Sequence, residues 1–181
     1  MTLKTIYFVR HGESIDASNS LPQQDDSPLS AAGKEQANVL ANRLQQLPIE
    51  IIKASNLQRA LETAEVISST INRPIETNKA FNELEGEPKG TFISRIQQAN
   101  AAIGTITQTK ATQILVVSHG GFIKTMVASM LFGPEIRQDD YLKFIRFTTI
   151  RNTGITVCKL FNGNRWKLTT WNDFRHIEEA A

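Results

Sequence analysis

Two short, wholly apolar runs stand out against the amphipathic remainder of the chain. Ile6-Tyr7-Phe8-Val9 stops at the polar cluster Arg10-His11-Gly12-Glu13-Ser14, and Ile114-Leu115-Val116-Val117 stops at Ser118-His119-Gly120-Gly121. Continuous apolar runs of this length that end abruptly in polar loops predict strands buried on both faces. Elsewhere the period changes to that of helices. Ser30 is placed to cap a helix reaching about residue 47, because Ala37, Leu40, Ala41, Leu44 and Leu47 follow at i, i+3 and i+4. A second strand is predicted over residues 49–54, and a second helix over 57–71, broken by Arg73-Pro74. A loop rich in Glu, Gly and Pro covers 81–90, a further helix 91–107, and an apolar helix 122–132 that Gly133-Pro134 stops. The last third reads as strands: residues 142–150, then 155–161 and 166–171 about the turn Asn162-Gly163-Asn164.

Strands alternating with helices over the first 130 residues imply βαβ units. The expected fold is therefore a three-layer α/β sandwich with a mainly parallel sheet, helices on both faces and an antiparallel edge strand from the terminal hairpin. At 181 residues, with no internal repeat or linker in view, the whole chain, 1–181, is expected to form one domain.

Composition narrows the classes. Hydrophobic residues at 40% and charged residues at 21% exclude a disordered or fibrous chain. Twenty Lys and Arg against 18 Asp and Glu leave a net charge of +2, too small to advertise nucleic-acid or membrane-surface binding, so any basic site must be local. The single cysteine, Cys158, excludes an internal disulfide and a multi-cysteine metal site, and its strand context reads as a buried core thiol. No apolar stretch approaches the roughly 20 residues of a membrane span, and the first nine residues lack a cleavage-site pattern, so a cytoplasmic protein is expected.

In open α/β sheets the ligand crevice lies beyond the carboxyl ends of the strands. The two best strands each end there in a Gly-flanked histidine, and His11 and His119 are two of only three histidines. Gly12, Gly120 and Gly121 would let a ligand approach the backbone closely. Arg10 precedes His11, and Arg59 opens the helix after the second strand. Two guanidinium forks near two imidazoles describe a phosphate or carboxylate site better than a metal site. No metal is expected, since no third ligand stands at suitable spacing. A P-loop and a Gly-x-Ser-x-Gly elbow are both missing.

Val9-Arg10-His11-Gly12-Glu13-Ser14 resembles the signature of the histidine phosphatase superfamily, the phosphoglycerate mutase-like enzymes. The resemblance continues through Asp26-Ser27-Pro28-Leu29-Ser30 with Gly33, Gln36 and Ala37, through the segment 55–64 around Arg59, and through Val117-Ser118-His119-Gly120-Gly121. It extends to Asn152-Thr153-Gly154-Ile155-Thr156 and the Asn172-Asp173 to His176 tail, nearly the whole chain. It implies phosphoryl transfer through a phosphohistidine, with His11 as nucleophile and with Arg10, Arg59 and His119 around the phosphate. The segment Asn82-Glu83-Leu84-Glu85-Gly86 resembles the family's acid segment, which makes Glu83 the proton donor and Glu85 its rival. Nearby guanidinium groups would hold the nucleophilic imidazole neutral, and a cation-lined pocket would stabilise the transferring group without a metal or cofactor.

The chain departs from the family pattern in two places. Gly86 and Pro88-Lys89-Gly90 alter the acid loop, and Ala17 stands where many relatives place a phosphate-binding asparagine. Asn19 or the Ser14 hydroxyl is a candidate substitute, so the expected substrate-binding set is Arg10, Ser14, Arg59 and Gly120. His176 is expected to be structural or exposed, and Trp166, Trp171 and Phe174 to pack the hairpin. The short loop after Glu83 favours hydrolysis of a phosphomonoester over a mutase's return of the phosphoryl group, with a non-catalytic phospholigand-binding module as the competing class. The expected partner is a small phosphomonoester or a phosphorylated protein, not nucleic acid or membrane, bound by a monomer or homodimer.

Overall fold

The computed structural model describes residues 2–83, 91–162 and 165–180. In chain order the elements are β1 (Thr2–Arg10), α1 (Ile15–Ser18), α2 (Ala31–Leu44), β2 (Ile51–Ala54), α3 (Gln58–Ile71), β3 (Ile75–Thr77) and a 3-10 turn at Lys79–Phe81. There follow α4 (Phe92–Gln108), β4 (Gln113–Ser118), α5 (Gly120–Phe132), α6 (Gln138–Phe147), β5 (Ile155–Phe161), β6 (Arg165–Asp173) and α7 (Arg175–Glu178). The predicted turn residues Gly163 and Asn164 lie outside the described residues, as do Glu85 and the rest of the segment 84–90.

The strands form one six-stranded sheet in the order β3-β2-β4-β1-β5-β6. β3, β2, β4 and β1 run parallel, and β5 and β6 close one side as an antiparallel pair. Both apolar runs are central, which is why they are apolar without alternation. Ile6, Phe8, Ile114 and Val116 face one layer, where Ala99, Ala102 and Ile106 of α4 and Phe122, Ile123, Met126 and Val127 of α5 cover them. Tyr7, Val9, Leu115 and Val117 face the other, against Leu40, Ala41 and Leu44 of α2 and Ala60, Ala64 and Ile67 of α3. Each fully buried Leu, Ile or Phe contributes about 1.5–3 kcal/mol of transfer free energy, so the two central strands anchor both layers. Cys158 is part of the first layer, and burial pushes its thiol up to about 12.

Ser30 caps α2, its hydroxyl accepting from the Gly33 amide, as the sequence predicts. Residues 142–150 are not a strand. The aromatic content suggests one, but Tyr141, Phe144 and Ile145 fall at i, i+3 and i+4 and turn onto Ile96, Ala128 and Ile136. Leu142 and Phe147 are left 50% and 80% exposed, which a core strand would not allow. Asp139 and Asp140 in the first turn and Arg146 in the last suit the helix dipole of α6. The short edge strand β3 is also absent from the sequence-based expectation; with three residues, none buried, it carries no hydrophobic signal.

The helices after β1 and β2 cover one face, and those on either side of β4 cover the other. The crevice therefore opens at the topological switch point between β1 and β4, at their carboxyl ends, where the connections leave towards opposite edges of the sheet. Arg10 pairs with Ser118 in the last register of these two strands, so His11 and His119 emerge side by side.

Candidate active site

The His11 and His119 rings lie 5.1 Å apart between centroids, tilted by 57°, and both side chains are almost wholly buried. The backbone at His11 is held from several directions. Its N–H donates to Ser118 O (2.9 Å), Asn152 Nδ2 donates to its carbonyl (2.9 Å), and the Gly12 N–H donates to Thr63 Oγ1 (3.1 Å). Thr63 in turn donates to Arg59 O at 2.7 Å, tying the loop to α3. Gly12 serves packing rather than ligand access: a Cβ there would sit 2.5 Å from the Gly33 carbonyl oxygen of α2.

His11 Nδ1 lies 2.6 Å from Gly12 O. A carbonyl only accepts, so Nδ1 carries the proton and Nε2 holds the lone pair. Arg59 Nε donates to that Nε2 at 3.3 Å, while its Nη1 donates to Gln24 O at 2.8 Å. Burial above all, then the charges of Arg10 and Arg59, drive the His11 pKa down to about 3, against the opposing bond to Gly12. The imidazole is therefore neutral near pH 7.

His119 is set by the opposite logic. Ser55 Oγ donates its single proton to Asn82 Oδ1 (2.9 Å) and accepts from Leu57 N, so its 2.8 Å bond to His119 Nε2 must be donated by the ring. His119 Nδ1 is then a lone pair, buried and without a hydrogen-bond partner among the described residues. Burial, followed by the charges of His11, Arg59 and Arg10, holds its pKa well below the usual imidazole range.

Arg10 Nη1 donates to Ile150 O at 2.9 Å, and its buried Nε has no partner among the described residues. Gly120 makes room for it, since a Cβ there would approach Arg10 Cδ at 3.3 Å. Glu83 follows the 3-10 turn and sits at the start of α5. Its carboxylate accepts from Gly121 N (2.9 Å) and Phe122 N (3.3 Å), with Arg95 Nη1 at 4.0 Å. That is an anion on a helix N-terminus, available because α5 begins at Gly120 with His119 as its cap residue.

Arg10, His11, Glu83, His119, Gly120 and Gly121 line one cavity of about 290 Å³ with Gln23, Lys124, Thr148, Thr149 and Ile150. Arg59 reaches it through its contact with His11. Ser14 is not brought into it. Its hydroxyl caps α1 by accepting from Ala17 N (3.3 Å) and also accepts from Gln23 Nε2 (2.8 Å), while Asn19 is an exposed C-cap. Gln23 is the polar side chain that the loop after α1 delivers to the cavity, and no periodicity in Leu21-Pro22-Gln23-Gln24 signals it. Asn152 and Lys124 were likewise unassigned by the sequence. His176 is buried and bonded to Thr153 Oγ1 at 3.2 Å, and Trp171 packs edge-on against Phe144. No group of three or more His, Cys, Asp or Glu able to hold a metal ion occurs among the described residues, and no helix among them is long and apolar enough to cross a membrane.

The sequence profile of the histidine phosphatase superfamily (branch 1) matches residues 6–90 and 84–174. Phosphoglycerate mutase-like protein 4 of Arabidopsis thaliana is 29% identical, covering 97% of this chain and 88% of that protein. Among solved structures, Bacillus stearothermophilus YhfR superposes with a TM-score of 0.83 at 23% identity, covering 96% and 99% of the two chains. The Entamoeba histolytica phosphoserine phosphatase bound to 3-phosphoglyceric acid superposes at 0.79 with 23% identity and the same coverage.

Proposed function

Because the chain belongs to the histidine phosphatase superfamily, we propose that it hydrolyses phosphomonoesters through a phosphohistidine on His11, without a metal. The observation that carries this reading is the 2.6 Å contact between His11 Nδ1 and Gly12 O, which leaves Nε2 as an in-site nucleophile that is neutral at pH 7.

In the first step His11 Nε2 forms a bond to phosphorus as the bond from phosphorus to the ester oxygen breaks. Arg59 gives up its 3.3 Å contact with Nε2 and, together with Arg10 Nε, meets the equatorial oxygens. The departing oxygen keeps the bonding electrons and takes a proton from Glu83. In the second step water attacks phosphorus, the N–P bond breaks back onto Nε2, Glu83 accepts the water's proton, and inorganic phosphate leaves.

The test is turnover of p-nitrophenyl phosphate in EDTA, comparing the native chain with His11→Ala. Turnover abolished by the substitution supports the reading. Turnover that persists in His11→Ala, or that needs added metal, overturns it. A second reading, phosphoryl transfer between two positions of one substrate, draws on the Arabidopsis relative's name; it requires activity that depends on a bisphosphorylated primer.

A further inference from the structure

Lys124 lies in the first turns of α5, five positions beyond His119, and lines the same cavity. Its ammonium donates to Ile145 O (2.9 Å) and Thr148 O (3.3 Å) at the end of α6, which uses two of its three protons. No carboxylate lies within ion-pair distance of it among the described residues. Burial lowers its pKa, the Glu83 charge opposes that shift, and the Arg10 charge adds to it. Glu83 is thus the negative charge that offsets Lys124 across the cavity.

That balance fails in the reaction proposed above, on which this inference rests. The phosphate is met by Arg10, Arg59 and the histidines, and Glu83 must carry a proton to act as the acid. Lys124 then faces the substrate with no compensating charge among the described residues. A neutral leaving group would leave this half-buried cation unpaired, whereas an anionic one would neutralise it and remove a charge that disfavours protonation of Glu83.

We infer that Lys124 is a specificity-determining residue and that the substrate is a compact phosphomonoester carrying a second anionic group, a carboxylate or a second phosphate, a few bonds from the scissile ester. At about 290 Å³ the cavity is at the small end of ligand sites, which sets both anions on one short skeleton.

Three probes on a common three-carbon chain test this in the His11→Ala background, where binding is read by calorimetry without turnover: 3-hydroxypropyl phosphate, 3-(phosphonooxy)propanoate and propane-1,3-diyl bisphosphate. The anionic probes should bind roughly tenfold or more tighter than the neutral one, the scale of one hydrogen bond to a charged group. Which of them binds tighter identifies the second anion. Adding Lys124→Gln, which keeps an amide donor but removes the charge, should bring the ratio towards one, and Lys124→Arg should retain it. Equal affinities for neutral and anionic probes, or a ratio unmoved by Lys124→Gln, overturn the inference alone. Failure of all three probes to bind overturns the phosphate site itself. If Lys124→Gln fails to fold, the ratio in the parent and in Lys124→Arg still decides.

Discussion

Arg59 Nε donates to His11 Nε2 across 3.3 Å, so the nitrogen proposed as nucleophile is covered at rest by the group proposed to bind the phosphate. The bond is long for a charged donor, and the two groups can exchange it for oxygens of the same ligand. Arg59 is fully buried and shaped to hold Gln24 O with a second nitrogen. A lysine has no fork to make both contacts. Arg59→Lys is expected to lower kcat for p-nitrophenyl phosphate by about 10²–10³-fold, the usual loss on removing one transition-state donor. A loss under tenfold would remove Arg59 from the chemistry.

Glu83 rests on the Gly121 and Phe122 amides because position 121 has no side chain. A Cβ there would lie 2.9 Å from both carboxylate oxygens. Gly121→Ala is expected to push Glu83 off its seat and so to act like Glu83→Gln. Both should slow alkyl phosphates much more than p-nitrophenyl phosphate, whose phenolate leaves without a proton. Equal losses for the two leaving groups would count against Glu83 as the donor.

His119 presents a lone pair at Nδ1, where an incoming phosphate dianion would also present one. Above the second ionisation of methylphosphonate, whose dianion keeps no hydroxyl, the complex must therefore gain a proton that neither free partner holds. Methylphosphonate is expected to bind about tenfold more weakly per pH unit there, and calorimetry in buffers of different ionisation enthalpy should count about one proton taken up. No uptake would mean that His119 Nδ1 does not face the ligand.

Acid should destabilise the fold through the same imidazoles. The unfolded His11 titrates near 6.5, while the folded one is held down to about 3. The unfolded chain thus binds the proton first, so this stabilisation is present above about pH 6.5 and is lost as pH falls towards 3, at about 1.4 kcal/mol per unit. His119 acts in the same direction. In denaturant unfolding between pH 6.5 and 4, His11→Asn is expected to lose stability less steeply than the native chain. Parallel slopes would show that His11 is not buried in its neutral form.

What could be read from the sequence follows from how locally each signal is written. The central strands carry unbroken apolar runs, and the residue that ends each run stands at the crevice, so His11 and His119 were visible as a pair. Arg59 was visible through its place at the start of the helix after the second strand, whereas Glu83 needed the family resemblance, because a loop carboxylate looks like a solvated charge. Gln23, Asn152 and Lys124 were invisible in their roles. Their contacts run to Ser14, His11 O and the end of α6, and only the packed fold brings those together. The sequence does not show that the Ser14 hydroxyl is engaged by the cap of α1 and by Gln23 rather than lining the cavity. α6 was misread because aromatic residues in a half-exposed helix imitate a strand until their spacing is counted.

The Asn152 bond to His11 O spans 141 positions, and Thr153 N donates to Arg10 O beside it. His11 thus leaves the ribosome 141 residues before Asn152, one of the groups that hold its backbone. Contacts of such separation form late, after the intervening chain has found its sheet order. A nascent chain that has exposed His11 but not yet Asn152 lacks this clamp, which delays the assembly of the site until both segments are free to pack.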